Sequence, residues 1–278
     1  MTTREAFNIH PLGLAGIVAA TYSALLTALR SLRKKSDEED PRIDLHIVTD
    51  IHSILSSAAV LYSITQPWDV HHGAHGSYDP ARLDDRRNPL IHGKSALANA
   101  ITTWEAGFLI YDTLATAFLR YSRRHDSSRL KSLLRFARVE PLTFTHHVAL
   151  VAFLGTFQIY IAQGRERGVR VLNNFNLMNL STPILHWRWL RRHRTGKTDF
   201  GLDVLLAVVF AACRMGSIVW VLSDYGHFHG IGAWEAFVRQ RWFCQLGTGA
   251  LFVMNTSWWA LLVKGIVKGF RKKTQKVA

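Results

Sequence analysis

The sequence predicts an all-α, multi-pass transmembrane bundle of about seven helices around a polar cavity. Hydrophobic residues make up 48% of the 278 residues and charged residues only 19%, below the roughly 25% of ordinary globular chains. The charged residues lie in short clusters, and between them run apolar stretches of about 20 residues, the length that crosses a bilayer as a helix. Lysine and arginine are concentrated in every second connecting segment, which indicates an odd number of crossings.

Seven segments are long and apolar enough to span a bilayer. They cover residues 11–29, 44–66, 96–121, 141–161, 169–190, 200–224 and 242–267. The first has an almost uncharged tail before it and Arg30, Arg33, Lys34 and Lys35 after it. This pattern favours an uncleaved span over a signal peptide. The same charge bias predicts a lumenal or external N-terminus and a cytosolic C-terminus.

The net charge of +14 does not indicate a nucleic-acid-binding protein. Its basic residues flank the predicted spans, as in residues 120–138, where they would lie beside anionic lipid, and we expect no nucleic-acid partner. Cys213 and Cys244 lie in apolar runs without a disulfide or zinc pattern. Two histidine groups, at residues 71–75 and 227–229, lack a partnered carboxylate or cysteine pattern. We therefore expect no metal site.

Ionisable side chains inside apolar spans are candidate functional residues, because an unpaired and dry charge there costs several kcal/mol. Asp50, Glu105, Asp112 and Arg214 lie deepest in the predicted spans. Glu105 and Asp112 are seven residues apart and so share one helix face. Further polar residues in the spans are His46, His52, Ser53, Ser57, His146, His147, Asn173, Asn174, Asn176, Asn179, Asn255, Thr256 and Ser257.

The predicted orientation places His52, Asp112, His146 and His147 in the cytosolic half of the membrane, and Arg214 and Asn179 near its midplane. One polar cavity, open to the cytosol, could then hold histidine, aspartate and arginine together. An imidazole can act as a base or as an acyl-accepting nucleophile, with a carboxylate to orient it. The alternative is structural: Arg214 pairs with Asp112 or Glu105, and the asparagines and serines form hydrogen bonds between helices.

Six stretches, in the same order, resemble the TLC-domain family, which includes ceramide synthases, translocon-associated membrane proteins and an endoplasmic-reticulum cargo receptor. They are DIHSILSS at 50–57, GFLIYDTL at 107–114, THHVAL at 145–150, NLSTPILHWRWL at 179–190, AACRMGSIVWVL at 211–222 and MNTSWWALLVKGIVK at 254–268. The resemblance implies a TLC domain of six transmembrane helices at 43–273. Residues 1–42 would form an N-terminal transmembrane helix and a basic cytosolic loop, and residues 274–278 a cytosolic tail.

The family resemblance also implies a cavity that binds lipid and a set of site residues. In ceramide synthases the di-histidine takes part in moving a fatty acyl group from acyl-CoA to the amine of a long-chain base. Carried over, this makes His146 and His147 the catalytic candidates, supported by Asp112, with acyl-CoA as co-substrate and no bound cofactor. The expected substrate- or lipid-binding residues are Arg214, His52, Asn179 and Asn255.

The chain departs from the synthases in its fifth predicted span. Synthases carry an acidic helix after the di-histidine, whereas this chain has Asn173, Asn174 and Asn176 there. Many TLC proteins outside the synthases have Glu just before Ser-Thr-Pro, where Asn179 stands here. The resemblance is therefore closer to the non-synthase branch, which is linked to phospholipid acyl composition and membrane homeostasis.

Two functions consequently stay open. One is acyl-CoA-dependent N-acyl transfer of the ceramide-synthase type, in sphingolipid metabolism. The other is a non-enzymatic lipid-binding, membrane-homeostasis or cargo-adaptor protein. A receptor or transporter is disfavoured, because the sequence shows no inverted repeat. The resemblance implies the endoplasmic-reticulum membrane as location and membrane lipids as partners, with a homo- or heterodimer as a further possibility.

Overall fold

Helices account for nearly all of the chain in the computed structural model, which describes residues 10–33, 40, 42–70, 83–121 and 128–274. The α-helices are α1 (Pro11–Arg33), α2 (Arg42–Thr65), α3 (Pro89–His92), α4 (Ala96–Arg120), α5 (Arg129–Val139), α6 (Pro141–Ala162), α7 (Val169–Phe175), α8 (Thr182–Thr195), α9 (Phe200–Phe210), α10 (Ser217–Phe228), α11 (Ala233–Arg239) and α12 (Trp242–Thr274). Two-residue strands β1 (Asp69–Val70) and β2 (Gly93–Lys94) pair antiparallel. The predicted all-α fold class is confirmed.

Five of the predicted spans coincide with helices that are long and apolar enough to cross a membrane. They are Pro11–Arg33, Arg42–Thr65, Pro141–Ala162, Phe200–Phe228 and Trp242–Gly269. The fourth of these runs through α9, a π-helical segment (Ala211–Gly216) and α10 without a break. The chain is therefore a multi-pass membrane protein.

The other two predicted spans differ from an ordinary apolar helix. The third is the continuous 25-residue helix α4, in which Glu105 and Asp112 interrupt the apolar sequence. The fifth is not one regular helix: α7 ends at Phe175, a 3-10 helix covers Asn176–Ser181, and α8 begins at Thr182. Pro183 lacks a backbone N–H and fits the first turn of a helix, and asparagine side chains compete for backbone hydrogen bonds. These residues explain the change of helix type.

The described chain separates into two compact units. The first consists of Met1–His52 and Ala96–Glu166, and so contains α1, the first part of α2, α4, α5 and α6. Its core contains Tyr22, Leu26, Leu45, Val48, Phe108, Tyr111 and Ala115. Gly107 of α4 lies directly against α1, where a Cβ atom would overlap the carbonyl oxygen of Ala15. The missing side chain thus allows α1 and α4 to approach closely.

The second unit consists of Ser53–Ser95 and Arg167–Ala278. Part of its core is built by Leu90, Tyr225 and Ala236. Several of its helices have clear end signals: the Asp199 side chain accepts a hydrogen bond from Leu202 N at the start of α9. Gly196, with φ 65°, ends α8 in the left-handed region that glycine tolerates.

Candidate functional site

The structure brings Asp112 and His147 together inside the first unit. Asp112 lies on α4 and His147 on α6, and the His147 Nε2 atom is 3.8 Å from the Asp112 Oδ2 atom. The side chains are 12% and 18% exposed, respectively, so both are mostly enclosed and still reachable. The hydroxyl of Thr49, on α2, lies 3.3 Å from the other carboxylate oxygen. Two of the three predicted catalytic residues therefore face each other.

Thr113 lies against the Nδ1 atom of His147. Its hydroxyl lies 2.7 Å from the carbonyl oxygen of Leu109, and this oxygen can only accept. The Thr113 oxygen also lies 3.0 Å from His147 Nδ1. When the hydroxyl hydrogen is donated to Leu109, Nδ1–H donates to Thr113, and in the neutral ring Nε2 holds the free electron pair. The basic nitrogen thus points toward Asp112.

Aromatic rings surround the His147 imidazole on the side of α5. The ring of Phe136 meets it edge-on, with centroids 5.9 Å apart and planes at 83°. Phe136 is fully buried and also contacts Phe144 edge-on, at 5.4 Å. The ring of His146 lies 5.9 Å from that of His147. Neighbouring helix residues point about 100° apart, and His147 is the one of the pair that faces Asp112.

His52 belongs to a second buried network in the same unit. Trp104 Nε1 donates to Tyr22 Oη over 2.8 Å, and Tyr22 Oη lies 2.9 Å from His52 Nδ1. His52 Nε2 lies 3.3 Å from a carboxylate oxygen of Glu105. With the indole as donor, the phenol hydrogen goes to Nδ1 and the Nε2 hydrogen to Glu105. The ring is completely buried and stacks on Phe108 with centroids 3.5 Å apart.

This arrangement gives both nitrogens of His52 a protein partner. It also gives Glu105 a hydrogen-bond donor, His52, within the unit. Sequence analysis did not predict this pair. The hydrogen-bond chain accounts for the buried His52 and Glu105 side chains without a ligand. The prediction that His52 binds lipid stays a prediction.

Arg214 forms a separate cluster in the second unit. It lies in the π-helical segment, where its Nε donates to Ser181 Oγ over 2.9 Å and its Nη1 lies 3.4 Å from Asn255 Oδ1. Its guanidinium stands over the ring of Phe210, 4.9 Å from the centroid. Among the described residues of this unit, no acidic side chain pairs with it. Arg214 and Asn255, both predicted to bind lipid, are thus neighbours.

Asn179 lies in the 3-10 helix, two residues before Ser181. Its Nδ2 atom is 3.4 Å from Ser56 Oγ, within the second unit. Asn255 donates from its Nδ2 to the carbonyl oxygen of Leu251, so its side-chain oxygen is directed at Arg214. The Asn179–Ser56 and Asn255–Arg214 contacts are the interhelical hydrogen bonds that intramembrane asparagines commonly form. Their role in lipid binding stays a prediction.

Of the two histidine groups considered for metal binding, the structure describes only the one at residues 227–229. His71, His72 and His75 lie outside the described residues. His229 pairs with Asp85, with 3.0 Å between Nε2 and Oδ1. In the part of the chain that the structure describes, no three His, Cys, Asp or Glu side chains are grouped as metal ligands.

Sequence analysis missed Thr49, Thr113 and Phe136 as neighbours of the candidate site. The spacing of Thr49 and Asp112 along the chain, 63 residues, carries no local signal that the two side chains meet. For Thr113 the one available signal was its position directly after Asp112, which places it in the same turn of α4.

Comparison with known proteins gives a match to a family model. No curated protein and no solved structure matches the chain significantly. The model of the TLC domain matches residues 42–264, which is most of the chain. The chain therefore belongs to the TLC-domain family and is a multi-pass membrane protein of lipid metabolism and homeostasis.

Proposed function

We propose that this protein transfers a fatty acyl group from acyl-CoA to the amine of a membrane lipid, as ceramide synthases do. The observation that supports this most is His147 Nε2, which faces the Asp112 carboxylate at 3.8 Å and is the basic nitrogen when Nδ1–H donates to Thr113. A protonated amine substrate must lose a proton to a base before it can attack, and a carboxylate can bind its positive charge.

The gap between His147 and Asp112 fits an amine. At 3.8 Å the two atoms are too far apart for a direct hydrogen bond, whereas a nitrogen at about 2.9 Å from each would bond to both. Asp112 would bind the ammonium group by its charge, and Nε2 would remove a proton. This gives Asp112 the task of holding the substrate, while Thr113 orients the imidazole.

The reaction then needs no cofactor. The amine nitrogen attacks the thioester carbonyl carbon of acyl-CoA, the C–N bond forms and the C–S bond breaks. Nε2 first removes one proton from the ammonium group and releases it to water. After the attack it takes the second proton from the nitrogen and passes it to the departing thiolate, which leaves as CoA. Alternatively, Nε2 itself accepts the acyl group first and the amine attacks the acyl-imidazole. His146 is the second candidate for either role.

Arg214, Asn179 and Asn255 are proposed to contact the lipid. Arg214 has only neutral hydrogen-bond partners in its unit, so its positive charge can attract a carbonyl, carboxylate or phosphate oxygen. We propose that His52 affects lipid binding indirectly, because its contacts with Tyr22 and Glu105 join α2 to α1 and α4. For the phosphates of CoA we propose Arg120, which is 41% exposed and 2.7 Å from Glu140. Arg123 and Arg124, which follow it in the sequence and are proposed to share this role, lie outside the described residues.

The second candidate is a lipid-binding or adaptor protein without turnover. The network of Trp104, Tyr22, His52 and Glu105 favours it, because these polar groups pair with one another and leave no role for a substrate. In this alternative the His147–Asp112 pair is also structural. Its loss would lower stability and leave lipid binding in place.

Mass spectrometry on purified protein decides between the two. Wild type, His147→Ala, His146→Ala and the double variant are incubated with acyl-CoAs and long-chain bases or lysolipids, beside His10→Ala as a control at an exposed histidine. We expect an acylated product from wild type and His10→Ala that His147→Ala fails to make. Full activity in all histidine variants would refute the proposal, and bound lipid without any product would favour the adaptor.

Asp112→Asn separates substrate binding from chemistry. The change removes the charge and keeps the size, so the KM for the amine should rise about tenfold or more, since a charge-assisted hydrogen bond is worth about 1.5–3 kcal/mol. The KM for acyl-CoA should stay the same. An unchanged amine KM would show that Asp112 does not hold the amine.

The proposed location is the endoplasmic reticulum, with a lumenal N-terminus and a cytosolic C-terminus. The alternation of basic segments supports the orientation and the family resemblance supports the compartment. Epitope tags at the two ends, tested for protease protection in sealed microsomes, check the orientation of each end. A protected C-terminal tag would reverse the proposed orientation.

A further inference from the structure

Helix α5 lies at the end of a candidate membrane span. It covers Arg129–Val139, and α6 begins two residues later, at Pro141. Because α6 is long and apolar enough to cross the membrane, the C-terminal end of α5 must lie near a membrane boundary. The Ser128 side chain caps α5 by accepting a hydrogen bond from Leu130 N, so α5 starts as a separate helix.

One face of α5 packs against the first unit. Ser132 and Phe136, four residues apart, are 2% and 0% exposed. Phe136 stacks on Tyr121, at the end of α4, with centroids 5.1 Å apart. Arg135 donates to the carbonyl oxygen of Tyr121, which fixes the same helix from the side. These contacts determine which residues of α5 turn away from the protein.

The next face of α5 is apolar and exposed. Leu130 is 63% exposed and Leu134 48% exposed. Four residues apart, these leucines lie above one another on one side of the helix. A soluble surface rarely carries neighbouring exposed leucines on an amphipathic helix without a partner.

A basic face follows directly after the apolar face. Lys131 and Arg138 are seven residues apart and both exposed. From the helical repeat, this face is turned by about 70° from that of the leucines. Leucines beside lysine and arginine on one short helix are typical of helices that lie in a membrane interface and bind anionic lipids. The positive charge of Lys131 and Arg138 favours the phosphates of a lipid surface as the binding partner of this helix over an apolar groove of another protein.

We propose that α5 lies in the membrane interface, with Leu130 and Leu134 among the acyl chains and Lys131 and Arg138 on anionic headgroups. Since Phe136 of the same helix meets the imidazole of His147 edge-on, the docked helix also positions that side chain. The inference concerns a membrane surface and does not depend on whether the protein transfers acyl groups.

Spin-label depth measurements test the proposal in vesicles. Cys213 and Cys244 are replaced by serine, and a nitroxide is attached at Leu134→Cys or Lys131→Cys. Val208→Cys, exposed within an apolar span, and Lys197→Cys, in a basic connecting segment, give the apolar and aqueous references. We expect the label at 134 to collide mainly with oxygen, as at 208, and the label at 131 mainly with a water-soluble nickel chelate.

Two outcomes would refute the proposed position of α5 in the membrane interface. Labels at 134 and 131 that are both as accessible to the nickel chelate as the label at 197 would mean that α5 projects into water. A label at 134 that neither reagent reaches would mean that a protein covers the leucines. Because neither outcome involves product formation, failure here is distinct from failure of the proposed acyl transfer.

The charge dependence gives a second test. In vesicles with phosphatidylserine, compared with phosphatidylcholine alone, the label at 134 should lie deeper. Lys131→Gln/Arg138→Gln should remove this difference, whereas Arg192→Gln/Arg194→Gln, which loses the same charge from the exposed end of α8, should retain it. Equal depth in both lipids for the unmodified helix would refute the role of the basic face.

Discussion

The Thr113 hydroxyl oxygen lies 3.0 Å from Nδ1 of His147, across 34 residues of sequence. Asp112, the neighbour of Thr113, faces the opposite nitrogen, Nε2. Two consecutive side chains of α4 therefore face opposite nitrogens of the imidazole. Thr113 binds Nδ1, and Asp112 places a carboxylate beside Nε2.

Thr113→Val should lower turnover and leave folding nearly intact. Valine keeps the shape and removes the acceptor of Nδ1–H, so the imidazole loses its orientation. We expect acyl transfer to be about tenfold slower, which corresponds to about 1.4 kcal/mol of lost hydrogen bonding in the transition state, and a stability loss of about 1 kcal/mol. Single-turnover rates and thermal unfolding in detergent measure the two. Thr21→Val, at an exposed position with a similar hydroxyl-to-carbonyl bond, is the control; an equal rate loss in both would contradict a specific role of Thr113.

Gly107→Ala should destabilise the first unit. The new methyl group would overlap the carbonyl oxygen of Ala15 and come within 2.6 Å of Val18 Cβ, so α1 has to move away from α4. Overpacking of this kind costs about 1–3 kcal/mol. Gly155→Ala in α6, where nothing lies within 4 Å, is the matched control and should be neutral or slightly stabilising. Equal thermal unfolding of the two variants would show that α1 and α4 do not pack this closely.

Tyr22→Phe should lower stability through two neighbours at once. It leaves Trp104 Nε1 without its acceptor and His52 Nδ1 without its donor. An unsatisfied buried polar group costs about 1–3 kcal/mol, so the unfolding temperature should fall by several degrees. Tyr62→Phe, at a tyrosine that is 61% exposed, should unfold as wild type does. A Tyr22→Phe protein as stable as wild type would argue against the network.

Arg214→Gln should reduce lipid binding while the hydrogen bonds around it can re-form. Glutamine still donates to Ser181 or Asn255 and carries no charge. If the guanidinium attracts a lipid oxygen, the co-purifying acidic or acyl lipid should fall about tenfold, as for the loss of a charge-assisted hydrogen bond. Lipidomics of the purified variant, beside Arg194→Gln as a control at an exposed arginine, measures this. Unchanged lipid content would assign Arg214 a structural role.

Local patterns were enough to predict five of the long apolar helices and the family. Apolar stretches bounded by basic residues located five helices that are long and apolar enough to span, and the order of six short stretches identified the TLC domain, which matches residues 42–264. Residues 169–190 form a less regular helical run than expected, because the hydropathy of a segment does not specify its hydrogen-bond pattern. Pro183 and the asparagines before it were the available signal.

The sequence by itself determined which segments are apolar, which charges lie within them, and which residues share a helix face, because these properties depend on neighbours a few positions apart. Only the tertiary structure decided that Thr113 meets His147, that His52 is enclosed by Tyr22 and Glu105, and that Arg214 has neutral partners. Such contacts join helices that are tens of residues apart in the chain. Their geometry depends on how closely the helices pack, and periodicity carries no information about that.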